Sequence, residues 1–212
     1  MTTEDIVLIG GGGHCKACID VIEAANKFRI AGIVDMKEKK GTSVLGYNIF
    51  ADDEDLPALV TEYRNFFIAV GQTGPSNRRQ LLFTALKKLN AYLPVIISPY
   101  SYISKYSEIA EGTIIMNGAL INAGVRIGKN SIINTAAVIE HDSVIGDHCH
   151  ISTCGVVNGG CRVGEGVFLG SNSVISNNLI IAAKSIIGAG SVVIRSVEDS
   201  GTYAGAPLRK IK

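Results

Sequence analysis

The sequence predicts two successive parts, an α/β domain over residues 1–96 and a parallel β-helix over residues 97–212. The second part has an aliphatic residue at every sixth position, without a break, from Ile97 to Val193. This period differs from the 3.5 or 3.6 of helices and from the 2 of a single strand, and it is typical of parallel β-helices. Three hexads would then complete one triangular coil. The first part lacks the period and alternates short apolar runs with helical patterns, which indicates an α/β domain.

The α/β domain begins with a predicted strand, loop, helix and strand. The apolar run Ile6–Ile9 predicts a short buried strand, and the glycines of Gly10–Gly13 predict a loop. Cys15–Lys27 carries apolar residues at helical spacing, and Ile30–Val34 is a second apolar run that ends at Asp35. Together these elements predict a βαβ unit.

Three further elements complete the first part. Leu56–Tyr63 predicts a short helix, and Phe66–Val70 predicts a third strand that stops at Gly71. Asn77–Lys88 predicts a helix whose apolar residues are Leu81, Leu82 and Leu86. A parallel sheet of this kind, with helices between its strands, is Rossmann-like.

The hexads of the second part resemble the hexapeptide repeat of left-handed β-helix acyltransferases. The fourth residue after each aliphatic is usually small, as at Ser131, Cys149 and Cys161, and a large residue followed by a small one fills a narrow prism. Residues just before the aliphatics should point outward, yet many are apolar. So many outward apolar residues predict burial by another copy of the chain or by the first domain, and a three-sided column favours a homotrimer. They are Ile114, Leu120, Ile132, Val138, Val144, Val156, Phe168, Val174, Ile180, Ile186 and Val192.

Composition argues against several classes of partner. The net charge is +1 and no basic stripe occurs, so nucleic-acid and membrane partners are not expected. The acidic start Met1–Asp5 differs from a signal peptide and favours a cytoplasmic protein.

The five cysteines show no disulfide framework. Cys15 and Cys18 form a C-x-x-C pair, which we interpret as helix packing and not as a redox or zinc motif; Cys149 and Cys161 are expected in the core.

The glycine loop is a candidate phosphate-binding site. Gly10–Gly13 and His14 lie between a strand and a helix start, where backbone N–H groups and the helix dipole favour an anion. Cys15 occupies the position of the third glycine of the dinucleotide motif, and the domain has the size of one mononucleotide half. A nucleoside diphosphate therefore fits better than NAD. Asp35 is placed to accept hydrogen bonds from a ribose or base, although an ordinary loop carboxylate is an equal alternative.

A histidine flanked by two carboxylates is the candidate catalytic centre. Acetyl transfer from a thioester to an amine or hydroxyl needs a base for the nucleophile's proton, and a neutral histidine suits that role. His141 lies at a predicted corner between Glu140 and Asp142. Either carboxylate is able to orient the ring, and we favour Asp142.

Residues 18 apart should stack in adjacent coils. Thr153, Ser171 and Ala189 then form a column of small side chains that would admit an extended pantetheine chain, while Gly159 stacks on His141. Downstream, Gly205–Pro207 is followed by three basic residues and resembles the closing segment of hexapeptide acyltransferases, where basic residues lie near the adenine and phosphates of the coenzyme. Those bases, Arg209, Lys210 and Lys212, are also compatible with a solvated tail.

Beyond the repeat, the chain resembles the nucleotide-sugar N-acetyltransferases of the bacillosamine pathway and the related sialic acid O-acetyltransferases. The resemblance rests on the glycine–histidine loop, Asp35, the segment Asn134–Asp142 and the run Cys149–Ser152. It implies acetyl-CoA as co-substrate, no metal, His141 as general base and His150 near the thioester or pantetheine. The candidate residues for the nucleotide sugar are Gly12, Gly13, His14, Asp35, Lys37, Gly71 and Asn134; for acetyl-CoA, His150, Gly159, Ser171 and Ala189; for catalysis, His141, Asp142 and Glu140.

The expected reaction is acetylation of the 4-amino group of a UDP-4-amino-4,6-dideoxy-N-acetylhexosamine. Sialic acid or other sugar O-acetylation is the enzymatic alternative, and the sugar and nucleotide stay open. From another class comes a trimeric metal-binding scaffold, in which His141, His148 and His150 bind zinc across subunits.

Overall fold

The computed structural model describes residues 4–74 and 77–212. The chain divides into two compact units. The first comprises Met1–Gly71 and Arg78–Pro99, and the second comprises Gln72–Asn77 and Tyr100–Lys212. A short segment from the middle of the α/β sequence therefore groups with the β-helix, which the sequence pattern does not indicate.

The first unit is a five-stranded Rossmann-like sheet with strand order β3-β4-β2-β1-β5. β1 pairs in parallel with β2 and β5, β2 pairs in parallel with β4, and β3 and β4 form an antiparallel hairpin. The elements are β1 Glu4–Ile9, α1 Gly13–Ala25, β2 Phe28–Val34, β3 Ser43–Val44, β4 Tyr47–Ala51, α2 Leu56–Glu62, β5 Asn65–Ile68, α3 Asn77–Lys88 and β6 Ile96–Ile97, with 3-10 turns at Lys37–Lys39 and Asp53–Asp55.

Two details differ from the sequence-based prediction. The hairpin of β3 and β4 was not expected; its turn places Leu45 and Gly46 at positive φ. In α3, only two of the three leucines on which the helix prediction rests are buried, and Leu81 is 71% exposed. A helix repeats every 3.6 residues, and the buried stripe consists of Arg79, Leu82, Phe83 and Leu86, which leaves Leu81 outside it.

The second unit is a left-handed parallel β-helix of two-residue strands that recur every six residues. Within the repeat, strands pair in parallel with the strand three positions earlier, so that Val138 lies beside Val156 and one coil spans 18 residues. The last two strands, which follow Val193, leave this pattern and form an antiparallel pair. The strands are β7 Tyr102–Ile103, β8 Glu108–Ile109, β9 Ile114–Ile115, β10 Leu120–Ile121, β11 Arg126–Ile127, β12 Ile132–Ile133, β13 Val138–Ile139, β14 Val144–Ile145, β15 His150–Ile151, β16 Val156–Val157, β17 Arg162–Val163, β18 Phe168–Leu169, β19 Val174–Ile175, β20 Ile180–Ile181, β21 Ile186–Ile187, β22 Val192–Val193, β23 Thr202–Ala204 and β24 Arg209–Lys210. Among the described residues, no helix of either unit is long and apolar enough to span a bilayer.

The corners of the β-helix share one backbone conformation. Every sixth residue from 112 to 190 has positive φ, and this residue is always the third after an inward aliphatic. Glycine and asparagine occupy most of these positions, as the left-handed region favours. Asp142 and His148 are also corner residues, with φ of 60° and 58°.

Small inward residues satisfy the corner backbone. The Ser143 hydroxyl donates to the Asn158 carbonyl at 2.9 Å and accepts from the Cys161 backbone N–H at 3.2 Å. The Cys149 thiol similarly donates to the Gly164 carbonyl at 3.0 Å. The predicted core positions of Cys149 and Cys161 are confirmed, since both side chains are fully buried.

The three faces of the prism differ in chemistry. The face of β7, β10, β13, β16, β19 and β22 presents one apolar outward residue per coil. The face of β8, β11, β14, β17 and β20 instead presents Glu108, Arg126 and Arg162 along with Val144 and Ile180. The third face, which includes β9, β12 and β15, buries Ile114, Ile132 and His150 within the chain.

Candidate functional site

His141 and Asp142 form a pair at the corner after β13. The Nδ1 atom of His141 lies 2.9 Å from Asp142 Oδ2. A carboxylate only accepts, so Nδ1 carries a hydrogen, and in the neutral form of the ring the lone pair is on Nε2. The two side chains are 63% and 74% exposed, so the lone pair is accessible from outside the prism.

Glu140 is engaged elsewhere. Asn122, one coil earlier, donates from Nδ2 to Glu140 Oε2 at 2.7 Å. Of the two carboxylates that the sequence leaves open, only Asp142 contacts the imidazole in the structure. Glu140 instead links two neighbouring coils.

Gly159 lies against the imidazole. A Cβ atom on Gly159 would stand 2.6 Å from His141 Nε2 and 2.7 Å from Cε1. Gly160 donates its N–H to the His141 carbonyl at 2.9 Å, which confirms the stacking of these positions in adjacent coils. The imidazole therefore occupies the space that a side chain at position 159 would fill, and glycine is needed there for the ring to take this position.

His150 is buried and both of its ring nitrogens contact protein groups. Nδ1 lies 2.6 Å from the carbonyl oxygen of Gln72, which only accepts, so Nδ1 donates. Nε2 lies 3.1 Å from Asn134 Nδ2, and the Asn134 amide is oriented by the Thr135 N–H, which donates to its Oδ1 at 2.7 Å. Phe168 packs edge-on against the ring, with centroids 5.3 Å apart. This arrangement holds Gln72 against the β-helix, and it commits His150 and Asn134 to each other, although the sequence assigned them to two different ligands.

The side chains of His148, Cys15 and Cys18 have structural contacts, and these bear on the zinc and redox hypotheses. His148 Nδ1 lies 2.9 Å from Asn130 Nδ2 in the core. Burial raises the pKa of the Cys15 thiol to about 12 and also raises that of Cys18, so neither forms a reactive thiolate. Both pack inside the first unit, as the sequence predicts. Among the described residues, no group of three or more His, Cys, Asp or Glu side chains is arranged to hold a metal ion.

The predicted column of small residues forms as a stack. Asn172 donates its N–H to the Thr153 carbonyl and Gly190 donates to the Ser171 carbonyl, each at 2.9 Å. Ser171 Oγ lies 2.9 Å from Ser152 Oγ, and Ser171 and Ala189 are exposed. The column therefore presents backbone and small groups to solvent.

A groove of about 440 Å³ lies near the C-terminal end, lined by Ile194, Arg195, Ser196, Val197, Glu198, Asp199, Tyr203, Pro207, Leu208 and Lys210.

The glycine loop of the first unit has one half that packs and one half that is open. A Cβ on Gly10 would collide with Val70, and Gly11 donates its N–H to Asp35 Oδ2 at 2.8 Å. By contrast, no atom lies within 4 Å of a Cβ built on Gly12 or Gly13. Gly12 is the N-cap of the 13-residue helix α1, and it provides no side-chain hydrogen bond to the first turn.

Asp35 is buried and holds the loop. Its Oδ2 accepts from Gly11 and from Lys39 Nζ, both at 2.8 Å, and its Oδ1 accepts from the Met36 N–H. Burial tends to raise the pKa of Asp35, but the bonds from Lys39, Met36 and Gly11 outweigh it and leave the pKa below its ordinary value. Lys39 is the residue that sequence reasoning missed here; the predicted Lys37 is exposed.

Gly71 and a buried arginine shape the end of β5. A Cβ on Gly71 would lie 3.1 Å from the Cβ of His14, so Gly71 makes room for the first turn of α1. Arg79, 1% exposed, donates from Nη1 to the carbonyls of Ile68 and Val70. Burial lowers the pKa of Arg79 to about 10, so the group is still charged at neutral pH. An arginine within a helical apolar stripe was the available sequence signal for this role.

Residues 5–84 match the family model described as the PglD N-terminal domain. Over its whole length the chain is 34% identical to a histidine-to-asparagine mutant of perosamine N-acetyltransferase from Caulobacter crescentus, solved with CoA and GDP-perosamine; the match covers 98% of that chain with a TM-score of 0.93. The acetyltransferase domain of PglB from Neisseria gonorrhoeae, solved with acetyl coenzyme A, is 27% identical over 99% of this chain and 100% of its own, with a TM-score of 0.90. WeeI from Acinetobacter baumannii, 24% identical with a TM-score of 0.87 over 99% of this chain and 100% of its own, has the same fold.

These similarities confirm the family and the co-substrate that the sequence indicates. They support transfer to nitrogen over the O-acetylation and metal-scaffold alternatives. The chain belongs to the nucleotide-sugar N-acetyltransferases, acetyl-CoA-dependent acyltransferases in which a Rossmann-like domain precedes a left-handed β-helix.

Proposed function

We propose that the protein transfers an acetyl group from acetyl-CoA to the amino group of a nucleoside-diphosphate-linked amino sugar, with His141 as general base. The observation that carries this proposal is the corner itself. Nδ1 of His141 donates to Asp142, while Nε2 lies beside the bare backbone of Gly159. An oriented base whose side chain is 63% exposed suits the deprotonation of a bound nucleophile.

The reaction needs no covalent enzyme intermediate. The neutral amine attacks the thioester carbonyl carbon, and Nε2 of His141 accepts the proton that the nitrogen loses. The C–S bond then breaks and the imidazolium returns this proton to the departing sulfur, which leaves as CoA thiol. Asp142 stabilises the imidazolium through the bond to Nδ1.

The glycine loop supports a diphosphate site in the first unit. Gly11 is committed to Asp35, so the glycines of the loop that face a ligand are Gly12 and Gly13 at the start of α1. Gly12 has φ of −85° and no atom lies near a Cβ at either Gly12 or Gly13, so neither packing nor φ requires glycine at Gly12. A phosphate that approaches the backbone closely supplies such a requirement.

The preferred substrate in this proposal is a UDP-4-amino-4,6-dideoxy-N-acetylhexosamine, on the strength of the resemblance to the bacillosamine enzymes. The similar Caulobacter enzyme was solved with a GDP-linked sugar. The nucleotide is therefore the first property to test. A thiol-release assay with acetyl-CoA and UDP-, GDP- and CMP-linked amino sugars would identify it. Turnover with the UDP-linked sugar supports the proposal, whereas turnover confined to GDP or CMP sugars contradicts the nucleotide assignment.

We also propose a homotrimer. One face of the β-helix carries a line of partly exposed apolar residues, Leu120, Val138, Val156, Val174 and Val192. A continuous apolar strip on a soluble protein favours contact with a second copy, and a three-sided column closes with threefold symmetry. Light scattering after size exclusion would show about three times the mass of one chain. Val156→Lys should dissociate the assembly, whereas Ile180→Lys on the charged face should not.

A further inference from the structure

The catalytic corner lies directly above a glycine of the preceding coil. Asp142 donates its N–H to the Ala123 carbonyl at 3.1 Å, which fixes Gly124 beneath it. A Cβ on Gly124 would lie 2.6 Å from Asp142 Oδ1 and 3.5 Å from its Cγ. The Asp142 carboxylate therefore occupies the space that a side chain at Gly124 would fill. In that position its other oxygen, Oδ2, reaches His141 Nδ1.

The backbone alone does not explain a glycine at this corner. Gly124 has φ of 74°, but equivalent corners hold Ala136, Cys154 and Lys184 at φ of 55°, 56° and 60°. The prism thus tolerates side chains in the left-handed conformation. Gly118, another corner glycine, differs from Gly124 because the nearest atom to its added Cβ is Ala136 Cα at 3.8 Å, an ordinary contact.

We propose that Gly124 is a positioning residue for acetyl transfer: its missing side chain allows the Asp142 carboxylate to lie where it orients His141. A methyl group at Gly124 would push Oδ1 away and turn the carboxylate off the ring. The proposal rests on the proposed role of the His141 and Asp142 pair. In this proposal Gly124, which is not part of that pair, provides the space that the Asp142 carboxylate needs.

A matched set of variants tests this role. Gly124→Ala and Gly118→Ala introduce the same methyl group at the same kind of corner, and Ala136 shows that alanine is accommodated there. Asp142→Ala removes the carboxylate, and the double variant Gly124→Ala with Asp142→Ala removes both the collision and its target. For each we would measure kcat, the KM for acetyl-CoA and the melting temperature.

We expect Gly124→Ala to lower kcat about tenfold to a hundredfold, the scale expected for misplacing a catalytic group. The KM for acetyl-CoA should stay near that of the wild type, and Gly118→Ala should match the wild type in kcat while sharing any loss of melting temperature. In the Asp142→Ala background, adding Gly124→Ala should change kcat no more than Gly118→Ala does.

Two results would overturn the inference. One is a Gly124→Ala variant whose kcat equals that of Gly118→Ala while Asp142→Ala is impaired. This result would mean that the His141 and Asp142 pair is needed but that Gly124 does not position it. The other is an equal loss from Gly124→Ala with and without Asp142, which would mean that the glycine acts by another route. Full activity of His141→Ala would instead contradict the proposed function itself.

Discussion

The glycine loop and the candidate catalytic corner at His141 and Asp142 are both short turns with unusual backbone, but their contacts with neighbouring residues arise in different ways. At the corner, Asp142 lies over Gly124 and Gly159 lies over His141 because residues 18 apart stack in a regular coil. In the loop, Gly11 is held by Asp35, which follows a different strand and is bound in turn by Lys39. In a periodic fold, sequence spacing thus predicts which residues are in contact. In a non-periodic fold, only the tertiary structure shows which residues are in contact.

The sharpest test of the corner is removal of its base. His141→Ala should lower kcat by about 10² to 10⁴, the range for loss of a general base, without a change in fold or assembly. Glu140→Gln serves as the control, because Glu140 contacts Asn122 and not the ring, and its effect should be much smaller. Steady-state kinetics with a thiol reporter decides between these outcomes, and near-normal turnover of His141→Ala would remove the corner from the mechanism.

The corresponding test of the loop is to close its open half. Gly13→Val places a branched side chain where no protein atom lies, so the fold should persist while a phosphate loses access to the backbone. We expect UDP binding to be abolished in calorimetry and CoA binding to be retained. Unchanged UDP affinity, or loss of both ligands together, would show that the nucleotide is held elsewhere.

A weaker effect is expected from the carboxylate that holds the loop. Asp35→Asn should lose charge-assisted bonds and destabilise the protein by about 1–3 kcal/mol. Because the folded state lowers the pKa of Asp35, this stabilisation is fully present above the ordinary pKa of 3.8 and is lost as pH falls through the lowered value. Denaturant unfolding of the wild type and the variant should therefore differ at pH 6 and converge in strong acid. A difference that persists unchanged there would argue against an ionised Asp35.

The smallest effect concerns the β-helix core. Cys149 donates to a carbonyl as Ser131 does at the equivalent position one coil earlier, so Cys149→Ser should change the free energy of unfolding by about 1 kcal/mol or less. Cys149→Leu should cost about 1–3 kcal/mol because it overfills the prism. Chemical denaturation measures both, and a serine variant as unstable as the leucine variant would contradict the interpretation of this position as a small polar core site.

Sequence reasoning reached the repeated half of the molecule more completely than the first half. The hexads predicted the strands, the inward residues and the stacking of Gly159 on His141, since each follows from one spacing. The hairpin at Ser43–Ala51 and the exposed Leu81 were missed, because no repeat marks them and burial in a helix depends on what packs against it.

By itself, the sequence determined the two-part architecture, the family and the corner that carries the candidate base, because hydrophobic periodicity and local motifs are properties of neighbouring residues. Only the tertiary structure decided that Asp142 and not Glu140 contacts His141, that Asp35 binds Gly11, and that both nitrogens of His150 are engaged. Those outcomes depend on side-chain direction and on contacts between distant segments, such as Gln72 with His150. The hydrogen bonds of these side chains are fixed by packing in three dimensions, and the spacing along the chain does not encode them.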